Sequence, residues 1–132
     1  MSSIFTKIIQ GEIPCHMLLE DEKFIAFLDI NPINPGHTLI VPKKEIDYLF
    51  DLDEDLLSNI LLAAKKLVPA IEKVISCKRV GIMVAGLDVP HAHLHLIPMM
   101  SEGDLTFARA KPADQNELAE TAEKIRLALL NG

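Results

Sequence analysis

The sequence predicts an α+β domain: a five-stranded antiparallel meander sheet with a central and a C-terminal helix. Three observations carry this. Short apolar runs of strand length cluster before residue 42 and again at 79–97. A long run at 51–75 repeats its apolar residues at helical spacing, and a second such run closes the chain from Asp114 to Leu130. Strands and helices are therefore segregated along the chain, in the order three strands, helix, two strands, helix.

The first two strands are read from "CHMLLE" and "FIAFLD", which "DEK" separates as the turn of a hairpin. "INPINPG" holds two prolines and a glycine and must turn. "HTLIVP" follows as a strand, with His37, Leu39 and Val41 on one face and Thr38 and Ile40 on the other. In the central helix Leu57, Ile60, Leu61, Ala64, Leu67, Val68 and Ile71 share a face behind Asp51 and Asp53 as candidate N-caps. Pro69 predicts a kink or break near Leu67–Val68. "RVGIMV" (79–84) is a strand, "AGLDVP" (85–90) a loop and "HAHLHLI" (91–97) a strand. In the last helix Asp114 and Glu117 resemble a capping box, with Leu118, Ala122, Ile125 and Leu129 on one face.

The chain has 132 residues, which fits one domain over 1–132, and 49% of them are hydrophobic. No apolar stretch is long enough to span a membrane, and the start carries no signal-peptide pattern, so the cytoplasm is the expected location. A net charge of −6 without a basic cluster argues against binding long nucleic acid, though not against a single nucleotide. Cys15 and Cys77 form no C-x-x-C and are read as reduced thiols. The acidic start of the central helix (Asp51, Asp53, Glu54, Asp55) repels phosphate and excludes an anion site there.

Three of the five histidines fall at alternate positions in "VPHAHLHLIPM". On a strand, His91, His93 and His95 project from one face, towards a cleft or water, while Ala92, Leu94 and Leu96 pack on the other. Three readings are open. The histidines are tolerated on a half-exposed strand; or they bind zinc with a further ligand from His37, Asp88 or His16; or one is a nucleophile towards phosphorus. In the last case one ring nitrogen attacks while the other holds its proton against a fixed acceptor, and the flanking imidazoles stabilise the phosphoryl oxygens.

"HAHLHLI" fits the alternating pattern of the histidine triad (HIT) proteins. "IFTKIIQGEIP", "FIAFLDINP" and "GHTLIVPKKEI" resemble the Hint branch of that family, in the same order, and together these stretches cover most of residues 3–98. The resemblance implies a HIT-like homodimer that hydrolyses nucleoside 5′-monophosphate esters or amides at the α-phosphorus through a nucleotidyl-histidine. By position, His93 is the nucleophile, His91 and His95 position it and contact the phosphate, and His37 is a fourth histidine beside it. Asp29 accepts the ribose hydroxyls, and Ile4, Phe5, Ile8, Phe27, Leu28, Ile30 and Leu39 form the base and sugar pocket, with Phe5 and Phe27 able to sandwich a base.

The chain departs from the pattern in the loop before the triad. Gly86 matches the family glycine, but Leu87 stands where glutamine is usual and Asp88 stands near the phosphate. A carboxylate there repels phosphoryl groups and favours amide substrates, whose leaving amine it can hydrogen-bond. Some relatives carry zinc on an N-terminal C-x-x-C; here Ser3 and Thr6 occupy those positions, so no metal or other cofactor is expected. The reading is a purine nucleoside phosphoramidase acting on a purine nucleotide or nucleoside phosphoramidate. The alternatives are a dinucleoside polyphosphate hydrolase and a nucleotide-binding module with little turnover.

Overall fold

The computed structural model describes residues 2–131. Its first element is one the sequence pattern did not reveal: α1 (Ile4–Ile9), capped by Ser3, whose hydroxyl accepts from the Thr6 amide. A helix this short has almost no stability of its own in water. It is held by what it packs on: Phe5 is buried, and Ile8 and Ile9 lie against the same sheet face.

Strands β1 (Met17–Glu20), β2 (Phe24–Leu28) and β3 (Thr38–Pro42) follow. The first hairpin turns at Asp21, whose carboxylate accepts from the Lys23 and Phe24 amides. Helix α2 (Glu54–Val74) crosses the sheet, β4 (Arg79–Met83) and β5 (Leu94–Met99) pair, and α3 (Gln115–Asn131) closes the chain. All strand pairs are antiparallel, in the order β1-β2-β3-β5-β4. The five antiparallel strands and both long helices match the expectation; the strict meander does not. A helix of 21 residues, about 31 Å long, carries the chain past its neighbour. β4 lands at the far edge, and β5 folds back into the gap, where Leu96 faces both Thr38 and Ile82.

The two faces of the sheet differ in what covers them. Phe24, Ala26, Leu28, Ile40, Leu94 and Leu96 point to α2 and α3 and form the main core. Ile25, Phe27, Leu39 and Val41 point the other way and pack under Phe5 of α1. The second face is the one the histidines share.

In α2 the cap is Asp53, which accepts from the Leu56 amide at 2.8 Å, while Asp51 belongs to a preceding short 3-10 turn. The buried stripe is Leu56, Ile60, Ala64, Leu67, Ala70 and Ile71; Leu61 is 53% exposed, because the doubled leucines fit a helical stripe in more than one rotation. The helix runs through Pro69 unbroken. Pro69 and Lys65 are both on the exposed side, where water serves the carbonyl that proline cannot. Asp114 caps α3 by accepting from the Glu117 amide.

The histidine strand starts later than expected. β5 begins at Leu94, so His91 and His93 lie just ahead of the ladder. β3 pairs β5 only from Thr38 to Ile40, and the Ala92 amide turns instead to the Ile46 carbonyl. The alternation survives this, since Ala92 is buried with Leu94 and Leu96 in the main core.

Candidate active site

The four histidines are buried, His37 at 1%, His91 at 0%, His93 at 7% and His95 at 6% exposure. Of the two surroundings expected for the histidine face, a cleft or water, it has the cleft: α1 and the loops cover it, and His93 and His95 line the cavity between them. Burial makes every ring nitrogen answerable for a partner, and the partners fix the tautomers.

His93 Nδ1 lies 2.7 Å from the His91 carbonyl. A carbonyl only accepts, so Nδ1 carries the proton and Nε2 the lone pair. Among the described residues Nε2 has no partner, and none of their buried side-chain nitrogens or oxygens is orphaned, so Nε2 opens onto free space. His37 receives the Ile33 amide at Nδ1 (3.0 Å), which places its proton on Nε2, 2.9 Å from His95 Nδ1. His95 must then accept at Nδ1 and carry its proton on Nε2. Burial pushes His37 down to about 4 and, with the neighbouring His37 and His93 rings, His95 down to about 3. Both are neutral near pH 7, so His95 presents a fixed neutral N–H donor.

His91 has both nitrogens engaged. Nε2 donates to the Pro42 carbonyl and Nδ1 accepts the Ser3 hydroxyl, each at 2.7 Å, and burial first of all lowers its pKa. With both nitrogens engaged and no place in the cavity lining, the His91 ring offers no free donor for the phosphate contact expected of it; its carbonyl instead holds His93 Nδ1.

His37 is delivered by the turn before it. Gly36 sits at φ +89°, and a Cβ there would lie 2.7 Å from Ile75 Cγ1 and 3.1 Å from Pro98 Cγ. Gly36→Ala is expected to cost about 2–3 kcal/mol, from a left-handed backbone and overpacking together, and to lower turnover by loosening the His37–His95 bond. Urea denaturation beside an activity assay checks both.

His93 and His95 border a cavity of about 670 Å³. Ile4, Phe5, Ile8, Phe27, Leu28, Asp29, Ile30, Leu39, Gly86 and Asp88 border it too. His37 and His91 do not; they stand behind the wall. Phe5 and Phe27 cannot sandwich a base, because they touch each other edge to face, with centroids 5.7 Å apart, and both are buried. Phe5 also meets the His93 ring at 4.9 Å. Asp29 sits at the end of β2 with one oxygen accepting the Asn31 amide and the other 3.6 Å from His37 Nε2; burial raises its pKa. Asp88 lines the cavity from an exposed loop, and no lysine or arginine is among the lining residues. His16 is elsewhere, bonded to Gln115.

Sequence reasoning missed Ile13, Pro14, Cys15 and Phe107, which also line the cavity, the last with its ring 5.0 Å from that of His95. An isolated aromatic in a loop gives no signal in one sequence. It missed Glu45 as well, which bonds Ser3 and Thr6 behind His91.

Among the described residues one trio, Asp29, His37 and His95, brings potential metal-ligand atoms within 4.8 Å of one another. It fits a metal poorly. The His37 Nδ1 lone pair faces the Ile33 amide and its Nε2 carries a proton, so coordination would break one of these bonds. Asp88 and His16, the further ligands considered for zinc, are outside the trio. Ser3 and Thr6 offer hydroxyls rather than thiolates to their cluster.

A histidine triad on one face of a five-stranded antiparallel sheet, with its central imidazole aimed into a cavity, defines the class. Residues 10–102 match the HIT domain family model. The chain is 42% identical over 122 residues to an uncharacterized HIT-like protein of Methanocaldococcus jannaschii, covering 87% of this chain and 94% of that one. It is 38% identical over 104 residues to an adenosine 5′-monophosphoramidase of Schizosaccharomyces pombe, covering 77% of each. The fold superposes on the crystal structure of a Hit-like protein involved in cell-cycle regulation from Bartonella henselae, with a TM-score of 0.84, 35% identity and 96% of each chain covered. The chain belongs to the HIT family.

Proposed function

We propose that this protein is a nucleotide hydrolase that cleaves purine nucleoside phosphoramidates at the α-phosphorus through a nucleotidyl-His93 intermediate. The observation that carries the reading is the locked tautomer of His93, with Nδ1–H held by the His91 carbonyl and Nε2 facing the cavity. As Nε2 bonds to phosphorus the P–N bond breaks, and the amine leaves with a proton taken up from water. The His91 carbonyl stabilises the positive charge on the ring, and the His95 N–H stabilises a phosphoryl oxygen. Water then attacks phosphorus, releasing the nucleoside monophosphate and restoring His93. Asp29 accepts the ribose hydroxyls, and the apolar wall from Ile4 to Leu39 takes the base.

The activity named for the fission-yeast relative supports this substrate class. So does the charge inventory of the cavity. Its charged side chains are carboxylates, Asp29 and Asp88, with no lysine or arginine to balance them. A phosphoramidate with one phosphate suits such a site better than a polyphosphate does. We read the protein as a cytoplasmic homodimer. No helix among the described residues is long and apolar enough to cross a membrane, and both cysteines are free. The pairing surface we favour is the β4 edge with the outer side of α2, where Ile82 is 48%, Leu61 53% and Leu62 60% exposed.

The test is hydrolysis of adenosine 5′-phosphoramidate, with diadenosine tetraphosphate as competitor and a chelator present. Turnover of the phosphoramidate is expected. Faster cleavage of the tetraphosphate would favour the polyphosphatase reading, and AMP binding without turnover a binding module.

A further inference from the structure

The carbonyl of His91 aims the nucleophile, so whatever holds His91 also bears on catalysis. Its ring is held from outside the sheet. The Ser3 hydroxyl donates to Nδ1 at 2.7 Å and itself accepts the Thr6 amide at 3.1 Å. One carboxylate oxygen gathers both residues: Glu45 Oε1 accepts the Ser3 amide at 2.7 Å and the Thr6 hydroxyl at 2.5 Å. Glu45 lies in the segment after β3, remote in sequence from α1.

The division of donors matters. Thr6 Oγ1 is 3.4 Å from His91 Nδ1 and 3.4 Å from Ser3 Oγ, close enough to compete for either. By taking the Thr6 proton, Glu45 leaves the Ser3 hydroxyl as the donor to His91. That bond holds the His91 proton on Nε2, against the Pro42 carbonyl. The same carboxylate ties down α1, a helix too short to stand alone. No ion pair among the described residues reaches α1, so Glu45 is its charged anchor. Phe5, carried by α1, meets the rings of both His91 (5.8 Å) and His93 (4.9 Å) edge-on.

We propose that Glu45 is a positioning residue: through Ser3 and Thr6 it fixes the tautomer and orientation of His91, and through the His91 carbonyl and Phe5 it aims His93. The inference rests on His93 being the nucleophile. Glu45 does not border the cavity; its hydrogen bonds go to Ser3 and Thr6. Its effect belongs in kcat more than in KM, because it governs the attack rather than the pocket for base and ribose.

The experiment compares Glu45→Ala, Glu45→Gln, Ser3→Ala and the Ser3→Ala/Glu45→Ala double variant. The readouts are kcat and KM for adenosine 5′-phosphoramidate, and nitrogen-detected NMR of the histidine rings in the substrate-free protein. Glu45→Ala is expected to lower kcat about tenfold, as loss of a supporting hydrogen-bond partner does elsewhere, with a smaller change in KM. The His91 ring signals should shift from one neutral tautomer towards a mixture of two. Glu45→Gln keeps an acceptor oxygen and should recover most of the rate and the native ring signals. The double variant should be no worse than the poorer single one, because both act on one chain of bonds.

Native ring signals and native kcat in Glu45→Ala, with only a lower Tm, would overturn the proposal and leave Glu45 a structural clip. Additive losses in the double variant would also overturn it. If the native protein fails to hydrolyse the phosphoramidate, the proposed reaction fails, yet the NMR comparison still decides whether Glu45 sets the His91 tautomer.

Discussion

His93→Ala abolishes turnover of adenosine 5′-phosphoramidate, by about four orders of magnitude or more, as removal of a covalent nucleophile does, while AMP binding persists. The expectation follows from the tautomers around it. Nε2 of His93 is the triad lone pair that faces free space; His91 has both nitrogens engaged, and His95 presents a proton rather than a lone pair. No neighbouring imidazole can take over the attack without breaking a buried bond. His95→Ala is expected to be milder, about 10²-fold, because it removes one donor to the phosphoryl oxygen and leaves the nucleophile in place. A steady-state assay of both variants checks the order. Trapping the nucleotidyl adduct by mass spectrometry under basic quench checks its position on His93. If His93→Ala keeps more than a tenth of the native rate, or if the adduct maps to another residue, the covalent mechanism is wrong.

The two long helices were legible because each repeats its period over many residues, 21 of them in α2, and the triad is itself a period-two signal; β2 and β3 were legible as short apolar runs bounded by turn residues. α1 was not legible. "IFTKII" is too short to display a helical period, and its helicity comes from packing on Phe27 and His93 rather than from propensity. The insertion of β5 between β3 and β4 was hidden for a related reason. Strand order is decided by where a crossover helix sets the chain down, which local pattern does not record. Within the site, residue types were readable and proton positions were not. Those depend on partners far away in the chain, Ser3 with His91 and His37 with His95, which only the fold brings together. Burial of the histidine face belongs here too, since the cover comes from α1 and from Phe107 in a loop.

Lowering the pH from 7 to 4 should remove on the order of 5 kcal/mol of stability, at about 1.36 kcal/mol for each unit by which a group's folded and unfolded pKa values differ over that range. The sign comes from two buried bases. His37 and His95 hold folded pKa values of about 4 and about 3, against 6.5 in the unfolded chain. Above pH 6.5 neither state binds the protons and stability is level. Below it the unfolded chain takes them up and the native state does not, so stability falls until the folded values are reached. His91, lowered by burial, and Glu45, lowered by the Ser3 amide and Thr6 hydroxyl, act in the same direction. Asp29, raised by burial, opposes them. A loss of this size is a large share of the roughly 5–15 kcal/mol that holds a domain together, so the urea midpoint should be far lower at pH 4 than at pH 7. Urea denaturation at pH 7, 5.5 and 4 measures the slope, and a His37→Leu/His95→Leu variant assigns it. That variant gives up stability at every pH, since the Ile33 amide loses its acceptor, but its pH dependence should flatten. An unchanged slope would place the acid lability elsewhere. The burial that keeps His95 a neutral donor beside His93 is the same burial that refuses a proton to His37, so the fixed His37–His95 bond and the acid sensitivity have one cause.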